Sequence, residues 1–416
     1  MPVKHWLATA WLIALTGFLP LAAHAQDQGG RAGAFAFDRS NADQAPPDMR
    51  AYLLADENDP VGQKIREAFF LKSDVAQLAA AGKMAGAEAK ADEAEALYKE
   101  LRAADPGNAD LTYSHANLFL VLGISYQTLE EWTKARSSLL KARRVFQEGI
   151  FSGETVAIQY EQLTLIEGML SGSSMAEGDG GKMLDHARAS LEYSEKLWSL
   201  DPERQTYLSQ LAIRLLNLAL ALDYINSDYA EAHALLQRAT TLHRAAAERD
   251  PKNLVNVVSA SYLMVEDSLM VLAMGDAGLA SDLAAAASDN FAKIVEIVPG
   301  NAEQHANFAK ALYALAEAQF ALGNTDVAEG VLHNSKFHYE QAFEQHFKDD
   351  WAAFASFVYG RLGDVYRIKD EPGDALLYFT AARDQLTPLI NERAHPEWRA
   401  RLAHYQNAVT EIEASQ

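Results

Sequence analysis

The sequence predicts an all-α protein, a right-handed α-solenoid of antiparallel helix hairpins. Three observations lead there. Pro106, Pro202, Pro251, Pro299 and Pro396 stand 96, 49, 48 and 97 residues apart, so one spacing of about 48 runs through most of the chain. From Val61 onward apolar residues recur three and four apart, the breaks are short Gly, Asp or Pro stretches, and no alternating strand pattern occurs. Two segments 240 residues apart also carry the same residue classes at identical offsets.

The first 25 residues hold no acidic side chain, one lysine (Lys4), an apolar run from Trp6 to Ala23 and the small-x-small site Ala23-His24-Ala25. They read as a secretory signal peptide cut before Gln26 and place the mature protein in the periplasm. Residues 26–59 are rich in Gly, Asp, Asn and Pro, with Pro46-Pro47 in the middle, and are expected to form a disordered leader. Residues 60–416 are expected to form one helical array of about seven hairpins, closed by the helix after Pro396, with no membrane span in the mature chain.

The recurring prolines close similar peptides: Ala104-Asp105-Pro106-Gly107-Asn108, Arg249-Asp250-Pro251-Lys252-Asn253 and Val298-Pro299-Gly300-Asn301, with Leu200-Asp201-Pro202 as a shorter echo. A proline there stops one helix and pre-sets the first turn of the next. Between these punctuation marks, Phe119, Leu122, Gly123 and Tyr126 precede Ala135, Leu139 and Ala142. The distant equivalents are Tyr359, Leu362, Gly363 and Tyr366, followed by Ala375, Phe379 and Ala382.

An aromatic, Leu-Gly, aromatic, then Ala, large, Ala series at these offsets resembles the tetratricopeptide repeat, in which small residues let two antiparallel helices approach closely. Weaker echoes are Glu93 to Tyr98, then Ala232, Leu236 and Ala239, then Ala280, Ala284 and Ala287, then Leu315, Ala316, Ala328 and Leu332. One further unit shows only a rough helix pair, split by an expected loop from Gly172 to Lys182. The period departs from the family's usual value of about 34. Each helix gains about seven residues, close to two helical turns, so the added length continues the same buried stripe.

Composition narrows the function. With 36 Lys+Arg against 57 Asp+Glu, the formal net charge of −21 repels nucleic acid and anionic lipid and favours basic partners. The absence of cysteine excludes disulfides, thiolate metal sites and a thiol nucleophile. Catalytic signatures are missing as well. His333, His338 and His346 have spacings of five and eight, unsuited to one ion without a third ligand, and read as surface or interhelix histidines. Gly178 to Met183 lacks the first glycine and the final hydroxyl of a phosphate loop. Gly123-Ile124-Ser125 and Gly172-Ser173-Ser174 lack the second glycine of a nucleophile elbow. Glu130-Glu131 and Asp349-Asp350 suit helix starts, where carboxylates meet the positive end of the helix dipole. No cofactor is implied.

Lys134, Arg136, Lys141, Arg143 and Arg144 crowd one helix and flank its Ala135-Leu139-Ala142 stripe. They read as the solvated border of that helix, with contact to an acidic partner or neighbouring repeat as the second reading. In the family this chain resembles, the first helices of successive units line a groove that takes peptides or helices of partner proteins. By position, that resemblance implies groove residues Asn117, Leu120, Ile124 and Gln127; Lys310, Tyr313, Glu317 and Phe320; and Phe357, Asp364 and Arg367. The expected function is an exported, non-enzymatic scaffold for protein–protein interaction in the bacterial cell envelope. The alternatives are a periplasmic solute- or glycan-binding helical protein and a hydrolase whose groups come together across repeats.

Overall fold

Polar residues in short turns set the helix boundaries. The side chains of Asn108, Asp179, Asp228, Asn253, Asp276 and Asn301 each accept a hydrogen bond from a backbone N–H in the first turn of the helix that follows. The computed structural model describes residues 45–153, 155–225, 228–346, 348–390 and 396–415, and among these it contains sixteen α-helices and no strand. The expected signal peptide and most of the expected leader lie outside the described residues.

The chain divides into two compact units, with the boundary inside one helix, between Arg214 and Leu215. The first unit holds α1 (Pro47–Leu54), α2 (Pro60–Ala80), α3 (Met84–Ala104), α4 (Ala109–Thr128), α5 (Trp132–Glu148), α6 (Thr155–Ala176), α7 (Gly180–Leu200) and the start of α8 (Gln205–Tyr224). The second holds the rest of α8, then α9 (Tyr229–Arg249), α10 (Leu254–Ala273), α11 (Ala277–Ile297), α12 (Ala302–Ala321), α13 (Thr325–Gln345), α14 (Asp349–Ile368), α15 (Pro372–Leu386) and α16 (Pro396–Ser415). Within each unit consecutive helices pack on one another, most extensively in the pairs α2/α3, α4/α5 and α6/α7 of the first and α10/α11, α12/α13 and α14/α15 of the second. This is a TPR-like all-α architecture.

The repeat residues occupy the contacts that the offsets assign to them. Ala135, Leu139 and Ala142, Ala232, Leu236 and Ala239, Ala280, Ala284 and Ala287, and Ala375, Phe379 and Ala382 are all fully buried. Gly123 and Gly363 sit where two helices of a hairpin touch: a Cβ at Gly123 would stand 2.8 Å from Leu139 Cγ, and one at Gly363 2.8 Å from Phe379 Cδ1. Ser171 and Ser268, at the corresponding points of α6 and α10, donate instead across the hairpin, to the carbonyls of Met183 and Ala280, both at 2.7 Å. A small residue at this point, whether glycine, serine or alanine, is therefore the spacer that fixes hairpin separation.

Three expectations change. Residues 47–54 of the expected leader form a helix, because proline is tolerated in the first turn and Arg50 ties α1 to Asp110 with bonds of 2.7 and 2.6 Å. The long loop expected at Gly172–Lys182 shrinks to residues 177–179, since Gly172, Ser173 and Ser174 are buried inside α6, where small size serves close packing. The four prolines from Pro106 to Pro299 lie in the turns themselves, and in three of those turns the following Asn, not the proline, begins the next helix. Among the described residues one helix, Leu254–Ala273, is long and apolar enough to cross a membrane, but most of it is buried and it carries Glu266 and Asp267.

Candidate functional site

The first helices of successive hairpins carry polar side chains at repeating positions, and the structure uses most of them to tie one first helix to the next. In the second unit Lys310 of α12 pairs with Glu266 of α10, with its ammonium 4.8 Å from the ring centre of Tyr262 and 4.9 Å from that of Phe354. Arg361 of α14 binds both carboxylate oxygens of Glu317 on α12, at 2.5 and 2.6 Å, and lies 4.6 Å from the ring centre of Phe320. His404 of α16 reaches Asp364 of α14 at 3.3 Å, and Arg401 stands 4.2 Å from the ring centre of Phe357. In the first unit Gln127 of α4 donates to the Met169 carbonyl and to Ser173 Oγ on α6, each at 2.9 Å. Gln210 of α8 donates to Glu161 of α6 at 3.4 Å.

The eleven groove positions therefore separate into two groups. Leu120, Lys310, Tyr313, Glu317 and Phe357 are buried, between 1 and 6% exposed. Asn117, Ile124, Gln127, Phe320 and Asp364 are half-buried and Arg367 is exposed. Burial of the first group follows from helix length: a first helix of about twenty residues places its middle positions against its neighbours over several turns, so they end up between helices.

Electrostatics follow the same pattern. Burial alone would lower the pKa of Arg361, but the Glu317 carboxylate more than offsets it and holds the guanidinium charged. Burial would raise Asp364, which is half-buried, yet hydrogen bonding from His404 and the charges of Arg361 and Arg367 keep its carboxyl below the ordinary range. Asp267 is pushed up to about 6 by burial, only partly countered by His233 at 2.5 Å. His338 is an interhelix group, as one of the two sequence readings has it: its Nδ1 lies 2.9 Å from His305 Nδ1, and burial together with that neighbour lowers it to about 4. His115, 2% exposed and 3.1 Å from the Arg102 guanidinium, is lowered to about 4 by burial and then by that charge. His333 hydrogen-bonds with the Tyr366 hydroxyl at 3.0 Å. Among the described residues no cluster of three or more His, Asp or Glu is arranged to hold a metal ion.

The basic face of α5 is absorbed in the same way. Arg136 pairs with Glu177 at 2.8 Å and Arg143 with Glu167 at 3.2 Å, both toward α6, and Lys141 lies 3.8 Å from Glu95 of α3. Contact with neighbouring repeats, the second of the two sequence readings, describes these three. Lys134 pairs with Glu131 of its own helix start, and Arg144 is exposed. Sequence reasoning missed the acidic partners of Arg136, Arg143 and Lys141, because each is brought close by the superposition of hairpins and not by local spacing.

No family model matches the chain, and no curated protein matches it. Solved structures do. The apo form of RapI aligns over 98% of this chain and 96% of its own, with TM-score 0.51 and 12% identity. A tetratricopeptide repeat protein from Parabacteroides merdae aligns over 81% of this chain and 99% of its own, with TM-score 0.39 and 14% identity. Aspartyl phosphate phosphatase F from Bacillus subtilis aligns over 85% of this chain and 78% of its own, with TM-score 0.43 and 12% identity. At these identities the likeness is one of fold: the chain is a TPR-like helical-repeat protein.

Proposed function

We propose that the protein is an exported, non-enzymatic scaffold of the cell envelope that holds another protein against the first-helix side of its hairpins. The observation that carries this reading is the series of polar bridges between first helices, Gln127 to α6, Lys310 to Glu266 and Arg361 to Glu317. The last two pair charges between helices, and all three lock neighbouring hairpins together, which favours a preorganised face. The accessible members of the expected groove, Asn117, Ile124, Gln127, Phe320, Asp364 and Arg367, would meet the partner, and Leu120, Lys310, Tyr313, Glu317 and Phe357 would hold them in place.

Affinity capture with crosslinking from envelope extracts tests the proposal. A discrete partner is expected, and it should be lost by an Ile124→Ala, Phe320→Ala, Arg367→Ala variant whose circular dichroism is unchanged. N-terminal sequencing of the protein from the envelope fraction should begin at Gln26. Failure to crosslink any protein would overturn the scaffold reading, and an intact N-terminus in the cytosol would overturn export.

A further inference from the structure

The tips of three consecutive hairpins in the second unit share one turn type. The turns are Met274-Gly275-Asp276, Leu322-Gly323-Asn324 and Lys369-Asp370-Glu371, each with a left-handed residue at its centre (Gly275 φ 92°, Gly323 φ 81°, Asp370 φ 60°). Met274 with Leu279 and Leu322 with Val327, each one residue before and four after the left-handed residue, are exposed at the first two tips, and Ile368 and Leu377, at other offsets, near the third, all from 39 to 61% exposed. The tips are neighbours. Gln319 near the end of α12 donates to Ser281 Oγ of α11 at 2.8 Å, and Lys369 spans to Asp326 at the start of α13 at 2.7 Å. Single exposed apolar residues are ordinary on a protein surface, but six at three neighbouring tips, four of them recurring with the repeat, make a strip.

The charges around the strip are mostly acidic. Asp276, Asp282, Asp326, Asp370, Glu371 and Asp374 are exposed beside it. Its cations are already engaged: Lys369 with Asp326 and Glu329, and Arg367 with Asp364. An apolar line bordered by carboxylates complements a helix that carries an apolar stripe flanked by Lys and Arg, and it disfavours acidic partners and anionic membranes.

We propose that this edge of the second unit docks a cationic amphipathic helix of a partner protein. The proposal rests on the scaffold reading and adds a second contact surface with a stated partner chemistry.

The probe is a labelled synthetic Leu/Lys amphipathic helix, titrated into the full chain by fluorescence anisotropy, beside a Leu/Glu counterpart and a scrambled Leu/Lys peptide. The Leu/Lys helix should bind, and the other two should not. A Met274→Ser, Leu322→Ser, Leu377→Ser variant should weaken binding about ten-fold or more. A variant with Asp282→Asn, Glu371→Gln and Asp374→Asn should weaken it and reduce its salt dependence. A Val255→Ser, Ile297→Ser control at the opposite hairpin ends should bind as the parent does, and all variants should keep the parental melting midpoint. Equal binding by strip and control variants, or equal binding of the scrambled peptide, would overturn the proposal. If a captured partner is retained by the strip variant and lost by the Phe320 and Arg367 substitutions, the edge proposal fails and the scaffold stands; if nothing is captured, the scaffold reading itself fails.

Discussion

Arg361 crosses from α14 to α12 and lays its guanidinium over both carboxylate oxygens of Glu317, at 2.5 and 2.6 Å, with the ring of Phe320 4.6 Å away on one side. The separation in sequence is 44 residues, the same as that between Glu266 and Lys310. Both pairs join equivalent first helices, so one structural device is used twice with the signs of donor and acceptor kept. A buried, bidentate pair contributes chiefly by fixing register, since desolvation offsets much of its attraction.

Removing one partner of that pair should therefore do more harm than removing both. Glu317→Ala leaves the Arg361 guanidinium with only the longer contact to Asp364, 3.4 Å, and is expected to cost about 1–3 kcal/mol, whereas Glu317→Leu with Arg361→Met is expected to be milder. Thermal melts of the two variants decide this, and a milder single than double variant would contradict it.

The hairpin spacers should be intolerant of size. Gly363→Ala places a methyl group 2.8 Å from the Phe379 ring, and Ala375→Leu overfills a fully buried site; each should cost about 1–3 kcal/mol. Gly123→Ala, facing Leu139 at the same distance, should behave alike. A melting midpoint unchanged by Ala375→Leu would contradict this placement of the hairpin.

Acidification should destabilise the fold below about pH 6.5. His338 and His115 are lowered to about 4, so the unfolded chain takes up protons before the folded one, and their contribution is present above the unfolded value and lost as pH falls toward 4. Asp267, raised to about 6, works in the opposite direction, because the folded state there binds its proton first. Two histidines against one carboxyl leave a net loss. Melting midpoints between pH 7.5 and 4.5 should fall, and His338→Gln should flatten that fall.

Caps give a smaller, local effect. Asn301 accepts from the Gln304 amide at 3.1 Å, so Asn301→Ala should cost about 1 kcal/mol. Hydrogen exchange should quicken in the first turn of α12 while α14 keeps its protection.

The repeat was legible in the sequence because its signals are local. Pro106 to Asn108 and Pro299 to Asn301 punctuate helices whatever surrounds them, and Ala135, Leu139 and Ala142 mark a buried stripe through helical periodicity alone. Burial of Ala375, Phe379 and Ala382 was fixed by the same offsets. Even the substitution of Ser171 or Ser268 for glycine keeps that logic, since only small residues allow the approach.

What only the tertiary structure decided was which polar side chains face a neighbour. Lys310 and Glu317 look like groove residues by position, yet Glu266 and Arg361, each 44 residues away, neutralise and bury them. His338 finds His305, and Arg143 finds Glu167, across a helix boundary that no spacing rule spans. Helix periodicity says which way a side chain points from its own axis; the distance and angle to the next axis determine whether it meets solvent or a partner, and those come from the packing of hairpins on one another within each unit.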